Sequence, residues 1–214
     1  SIMKIFKNII YLMIGILIVV SCKKVDYLSD PNSPEVVPTY GLMNRVQKRL
    51  MDDTRDEWFS GRQALLWVQY WNQVNYTEED RYQYRETTNQ GGWDDLYMNA
   101  QDLKDIITIN EESNVPDMSE IAAARIMLVY IYDLASQVWG DVPYYSYGND
   151  DEDFQANSIK DKGIFTPKYA SQQKMYADFL KELKEAAAMI DGTVFGTGDN
   201  FYNGDPRQDK STAR

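Results

Sequence analysis

Between Ser119 and Trp139 apolar residues fall in two neighbouring rows. Ile121, Ala124, Leu128, Ile131, Ala135 and Val138 form one, and Ala123, Met127, Tyr130 and Leu134 the other. Steps of three and four place each row along one line of an α-helix, and two adjacent lines make a face too wide for a surface helix. A helix of that kind needs neighbours on several sides, and the chain supplies them. Tyr40, Met43, Val46 and Leu50 step along a first helix. A second segment, from about Gly61 to Asn72, has Leu65, Trp67, Val68 and Trp71 on its apolar side. Trp93, Leu96, Ala100, Leu103 and Ile107 mark a third. A last helix over about Ser171 to Ile190 should face Tyr176, Leu180, Leu183, Ala187 and Ile190 inward. Asp117 or Ser119 is placed to cap the central helix, and Gly140 to end it through a positive φ. From Gly140 to Lys168 there is little periodicity: Asp141-Val142-Pro143-Tyr144 turns away, and Asp150 to Asp153 reads as a solvated loop. Asp191 to Arg214 shows no core-forming pattern. No segment carries a convincing strand pattern. The reading is all-α, helical hairpins of tetratricopeptide-like type with long loops, although no strict repeat of roughly 34 residues is visible.

Everything before Thr39 reads differently. Met3 is taken as the initiator, and Lys4 and Lys7 precede an apolar run from Ile9 to Val20. The run is shorter than the about 20 residues that span a bilayer. It has the length of a signal-peptide core, with the basic residues on the correct side. It closes on Val19-Val20-Ser21-Cys22, an apolar pair, a small residue and the single cysteine of the chain, which is the pattern of a bacterial lipobox. Residues 1–21 are expected to be removed as a signal peptide and Cys22 to carry the lipid. Each buried CH₂ of the acyl chains contributes about 0.8 kcal/mol, so several long chains anchor durably. A lone thiol has no partner for an internal disulfide, and lipidation gives it a use. Residues 22–38, with Pro31, Pro34 and Pro38, read as an extended tether, and 39–214 as the helical domain.

Charge and composition then narrow the function. The chain has 33 acidic residues against 22 basic ones and a net charge of −11. Lys4 and Lys7 leave with the signal peptide, so the remainder is more acidic still. Such a surface argues against nucleic acid and against charge-driven binding to anionic lipid, and membrane attachment must come from the lipid anchor. With no histidine and one cysteine, a Ser-His-Asp triad, a Cys-His dyad and His- or Cys-built zinc sites are excluded. No phosphate-binding GxxxxGK[ST] loop is present, and no cofactor is expected. Glu78, Asp80 and Asp94 are candidates for the paired carboxylates of glycoside hydrolysis, but acids are so frequent that such pairs mean little, and the chain is read as no enzyme. Asn149-x-Asp151-x-Asp153 alternates like a calcium loop, yet Phe154 and Lys160 stand where an EF-hand requires Gly and Glu. The motif fails as an EF-hand, and no metal site is assigned.

What remains is binding through aromatic rings. The chain has 16 Tyr and 5 Trp. Trp67, Tyr70, Trp71 and Tyr76 cluster ahead of the stretch Tyr82 to Tyr84. Sugar rings stack an apolar face on Trp or Tyr, while Asn, Asp and Arg take the hydroxyls. Trp67, Trp71 and Tyr76 are the candidate ligand-binding residues. The competing reading is a core stripe, since Trp67 and Trp71 lie four residues apart, and it is preferred for at least one of the two.

Val138-Trp139-Gly140-Asp141-Val142-Pro143-Tyr144 resembles the "WGDIPY" signature that ends a long helix in the SusD/RagB family of outer-membrane nutrient-binding lipoproteins. Other segments agree in order. Gly92-Trp93-Asp94-Asp95-Leu96-Tyr97 is similar to the family's "W..lY" helix start. Thr166-Pro167-Lys168-Tyr169, with Ser171, Gln172 and Tyr176, is similar to its "tPkYDsQ..iY" entry, with Ala170 in place of Asp. Leu183, Glu185 and Ala186 fit "L.eA", and Phe201-Tyr202-Asn203-Gly204-Asp205 fits "iYnGD". The family continues into a helix reading roughly "W.kfaNSLrLR", where this sequence has Pro206 to Arg214. The resemblance therefore implies the N-terminal portion of a longer protein, a truncated SusD-like fold with its C-terminal half missing. It implies a surface lipoprotein of the outer membrane that captures a glycan or peptide. Such a protein acts as a lid over a SusC-like TonB-dependent transporter and delivers the ligand to it without catalysis. The matched motifs are mostly structural and assign no ligand residues. A helical-repeat scaffold lipoprotein and a nonfunctional truncated remnant are the alternatives. In a truncated chain, Trp67, Trp71 and Tyr76 would give only weak residual binding.

Overall fold

Among the described residues seven helices follow one another. They are α1 (Thr39–Thr54), α2 (Glu57–Leu65, wound as a π-helix), α3 (Gln90–Glu111), α4 (Met118–Trp139), α5 (Ile159–Lys162), α6 (Gln172–Met189) and α7 (Pro206–Thr212). The computed structural model describes residues 37–85, 87–190, 192, 198–203 and 205–213. The expected signal peptide, Cys22 and the expected tether up to Val36 lie outside the described residues.

Helix α4 is the centre, as its two apolar rows demand. Ser119 to Val129 are buried without a break, as are Ile131, Tyr132, Ala135 and Ser136. By length and composition α4 would also pass for a membrane span, but most of it is covered by the rest of the chain. Asp117 caps it, its Oδ1 accepting from the backbone N–H groups of Ser119 and Glu120 at 3.0 Å each. Gly140 ends it at φ +80, a conformation that side chains resist.

Contacts run from α1 to α3, from α3 to α4 and from α4 to α6, and the side-chain bonds give the directions. Asp53, late in α1, accepts from Asn99 of α3 at 3.1 Å, while Arg45, early in α1, pairs with Asp102 further along α3. Arg125, early in α4, meets Glu182 and Glu185 late in α6, while Asp133 accepts from Tyr176 near the start of α6 at 2.7 Å. Asn110, late in α3, donates to Glu120, early in α4, at 2.7 Å, and each pair is therefore antiparallel. One end of the bundle gathers the C-termini of α1 and α4 and the N-termini of α3 and α6, together with both long connections, 55–89 and 140–171.

Three expectations change. The second helix begins at Glu57, not at about Gly61, with Asp56 Oδ1 accepting from Phe59 N–H at 2.6 Å. Its turns close over five residues, Gly61 N–H reaching Asp56 O at 3.2 Å, so an α-helical spacing of four misreads its faces. Helical structure stops by Trp67, and Gln69 at φ 60 turns the chain away. Leu66 is buried, whereas Trp67, Val68 and Trp71 are exposed.

Helix α6 spans the expected residues but is rolled about its axis. Met175, Phe179, Glu182 and Ala186 face inward, while of the expected row Leu180 is 74% exposed and Tyr176 is also exposed, Leu183 and Ala187 are partly buried and only Ile190 is fully inside. The cause is polar. The bundle interior holds the Arg125 guanidinium, which takes Glu182 at 3.0 and 2.9 Å and Glu185 at 2.9 Å, and Asp178 accepts the buried Tyr144 hydroxyl at 2.8 Å.

The connection 140–171 does not turn away. Val142, Tyr144, Phe154 and Ala156 are core residues. The connection pairs with itself through bridges Val142 to Ala170 and Tyr145 to Gln155.

The late segment 198–203 closes back on α1. Gln47 Nε2 donates to Asp199 Oδ1 at 2.8 Å, and Asn200 N–H donates to Gln47 Oε1. Gly198 lies so close to the Tyr40 backbone that a Cβ there would stand 2.5 Å from the Tyr40 carbonyl oxygen.

Candidate functional site

The segment 66–88 has little apolar burial to hold it, since Leu66 is its one buried hydrophobic residue among those described. It is held by charge instead. The Glu79 carboxylate is 3% exposed and receives Arg62 Nη2 at 3.2 Å and Arg85 Nη2 at 2.5 Å. Burial alone would raise its pKa. Hydrogen bonds from its own backbone N–H, Arg85 and Arg62 outweigh burial and hold it below the ordinary carboxylate value. Gln73, its amide oriented to satisfy both neighbours, accepts from Arg62 Nε at 3.1 Å and donates to the Tyr76 carbonyl. Asp80 Oδ2 accepts from Gln73 N–H at 2.7 Å, and the Tyr82 hydroxyl donates to the Trp67 carbonyl at 2.9 Å. Three non-glycine residues here, Gln69, Tyr76 and Tyr82, sit at φ 60, 57 and 54. Left-handed geometry of this kind costs on the order of 1–3 kcal/mol per residue and persists where the surroundings over-determine it, often at ligand sites.

The outcome is a fixed loop with its rings outward. Trp71 is 60% exposed and Tyr76 76%, and Trp67, Tyr70, Tyr82 and Tyr84 are also exposed. Neither Trp67 nor Trp71 joins a core stripe. Trp71 instead lays its ring edge over Gly61, 3.6 Å from where a Cβ would stand. The sequence therefore found the rings but assigned one of them at least to the wrong side.

Beside this loop lies a cleft of about 420 Å³, lined by the end of α1, α2, the loop and the start of α3. Its acids are Asp53, Asp56, Glu79 and Asp95, and its cations Arg62 and Arg85. Both cations are drawn to Glu79, so the remaining charge is acidic. Burial, with the Asp53 charge next, raises the pKa of Asp95. Thr88 Oγ1 is buried at the wall without a hydrogen-bond partner. Of the carboxylates considered from sequence, Asp80 holds the loop, Asp94 is exposed, and Glu78 does not line the cleft. Glu79 was missed because three consecutive acids, Glu78 to Asp80, give no sign of which one turns inward. The cleft acids Asp53, Asp56 and Asp95 were missed because no motif joins them.

Among the described residues no group of three His, Cys, Asp or Glu is placed to hold a metal ion. In the loop after Asn149, the Lys174 ammonium lies between the carboxylates of Asp151 and Asp153, at 2.8 and 2.7 Å. An internal cation thus stands where a calcium ion was considered.

No curated protein matches the chain. One family model, described as starch-binding and associating with the outer membrane, matches residues 31–212. The match spans the whole helical bundle, the aromatic loop and the cleft, and the chain belongs to the SusD-like family of starch-binding proteins that associate with the outer membrane.

Proposed function

We propose that the chain is a surface lipoprotein, anchored through lipid on Cys22, that captures a glycan for uptake without catalysis. In this reading residues 1–21 are a removed signal peptide and 22–38 a tether. The helical pairs, of tetratricopeptide-like type, form the frame that meets a SusC-like TonB-dependent transporter, to which the glycan is delivered. A peptide ligand is less well supported, because the family is described by starch. The observation that carries the reading is the pairing of outward rings with a polar cleft. Trp71 and Tyr76, with Trp67, present stacking faces on a loop pinned by the buried Glu79, and the same loop forms one wall of the cleft, whose carboxylates Asp53, Asp56 and Asp95 can bond sugar hydroxyls. A loop backbone held in place before binding loses little freedom when a ligand stacks on its rings.

Affinity electrophoresis of the mature chain in starch-containing gels tests this, since it registers weak binding. Retardation should be lost in Trp71→Ala and reduced in Tyr76→Ala, with the fold unchanged by circular dichroism. Migration indifferent to starch in the parent protein would favour a scaffold without a glycan site. Anchoring is tested separately. Cys22→Ala should abolish incorporation of labelled fatty acid, and a labelled mutant would place the lipid elsewhere.

A further inference from the structure

The cleft wall does not end at Gly92. Phe59 lies 3.2 Å from where a Cβ on Gly92 would stand, and Trp139 lies 3.8 Å from the same point, so a side chain there would press into a row of rings. Trp93, the next residue, meets Trp139 edge-on at 5.2 Å and 88° and Tyr97 at 4.7 Å. On Trp93 lies Tyr169, stacked at 6.3 Å with the planes only 23° apart. Tyr169 is 62% exposed. Tyr169 therefore stacks offset against Trp93 while most of the residue stays open to solvent. Its backbone is fixed as well: Ala170 N–H donates to Val142 O at 2.9 Å, and Ser171 caps α6. Trp93 begins α3, Trp139 ends α4 and Tyr169 precedes α6, so the row lies at the same end of the bundle as the cleft and the aromatic loop.

We infer that Tyr169, seated on Trp93, is a second stacking platform, and that the ligand is an uncharged oligosaccharide reaching from the cleft onto it. The inference rests on the glycan-binding reading above and extends it to length and charge. A ring backed by another aromatic is presented flat and without loose rotation, which suits the apolar face of a pyranose. Asp53, Asp56 and Asp95 line the cleft, and Asp94 lies on the first turn of α3 beside Trp93. That acidic surround repels uronate or sulfated chains.

The experiment is calorimetric titration of the mature protein with maltotriose, maltoheptaose and an oligogalacturonate of matching length. The parent, Tyr169→Ala, Tyr169→Phe and Trp71→Ala are compared, with circular dichroism of each. Tyr169→Ala should weaken maltoheptaose about fivefold to tenfold while leaving maltotriose within twofold. Tyr169→Phe should match the parent, Trp71→Ala should weaken both lengths, and the oligogalacturonate should not bind. Equal affinity of parent and Tyr169→Ala for maltoheptaose, alongside a loss in Trp71→Ala, overturns the second platform and leaves the first. Equal losses at both lengths in Tyr169→Ala overturn the second platform as well. Tight oligogalacturonate binding overturns the charge assignment, and a parent that binds none of the three overturns this inference together with the glycan reading.

Discussion

Two of the buried charge clusters among the described residues are chemical inverses. In the bundle a cation sits among carboxylates, Arg125 between Glu182 and Glu185, with the Tyr147 ring 4.4 Å from the guanidinium carbon. At the loop end a carboxylate sits between cations, Glu79 between Arg62 and Arg85. The surroundings differ more than the charges. Arg125 and Glu182 join helices already packed through Ala122, Ile126 and Ala186, and both are almost wholly buried. Glu79 joins a segment with hardly any apolar burial, and its arginines reach solvent, Arg85 being half exposed. The first cluster specifies how two elements that would pack anyway are rolled. The second supplies most of the order that its segment has.

The comparison fails or sharpens first at Arg125. Arg125→Met should destabilise the whole domain by about 3–5 kcal/mol, because Glu182 would be left buried without its partner. The double change with Glu182→Leu should recover much of that loss. Urea titration of both variants checks it, and a single change without effect would mean that the bundle cluster does not hold the helices. Next, Glu79→Gln should act locally. Hydrogen exchange should rise across 66–88, at a cost of about 1–3 kcal/mol, while the urea midpoint of the bundle moves far less than in Arg125→Met. A global loss equal to that of Arg125→Met would show that the loop and bundle are one cooperative unit.

Acid should separate the clusters in the same sense. Glu79 has a depressed folded pKa, so its contribution is present above the ordinary glutamate value of about 4.3 and is lost as pH falls through the folded value. Burial instead raises the pKa of Glu182, against the pull of Arg125, and burial likewise raises that of Glu120. For these two the charged form is the costly one, and falling pH relieves it as they take up protons. Tryptophan fluorescence from the loop should therefore change below about pH 4.3 while far-ultraviolet dichroism persists. Simultaneous loss of both signals would erase the distinction. The smallest effect is expected at the exposed Lys48–Asp52 pair of α1, where Lys48→Ala should shift stability by no more than about 0.5 kcal/mol.

The sequence made the bundle readable wherever apolar spacing alone decides burial. Met43, Val46 and Leu50, and Leu96, Ala100, Leu103 and Ile107, are buried as their spacing requires, whereas Tyr40, Tyr130 and Val138, on rows of the same kind, are exposed. It misled where a polar group decides. Leu180 is apolar and Glu182 is charged, so periodicity placed Leu180 inside and left Glu182 out, although Leu183, Ala187 and Ile190 do pack inward. Only the buried guanidinium of Arg125, on another helix, explains why Glu182 is inside. The rings of the candidate site were visible as residue types, but their exposure was not. Trp67 and Trp71 keep the spacing of a helix stripe although Gln69 has already broken the helix. Glu79, which sets the loop, is tied to Arg62, 17 residues earlier, a separation with no signature in one sequence.

The clasp between Gln47 and the segment at Asp199 spans 152 residues, and that separation orders assembly in time. The helix that carries Gln47 keeps a buried amide whose partner lies far along the chain. Closing so long a loop is an entropic barrier that local helix pairing does not share. The helix pairs around α4 are therefore free to form before the clasp closes, and the contact at Gly198, which leaves no room for a side chain, forms only when that long loop does.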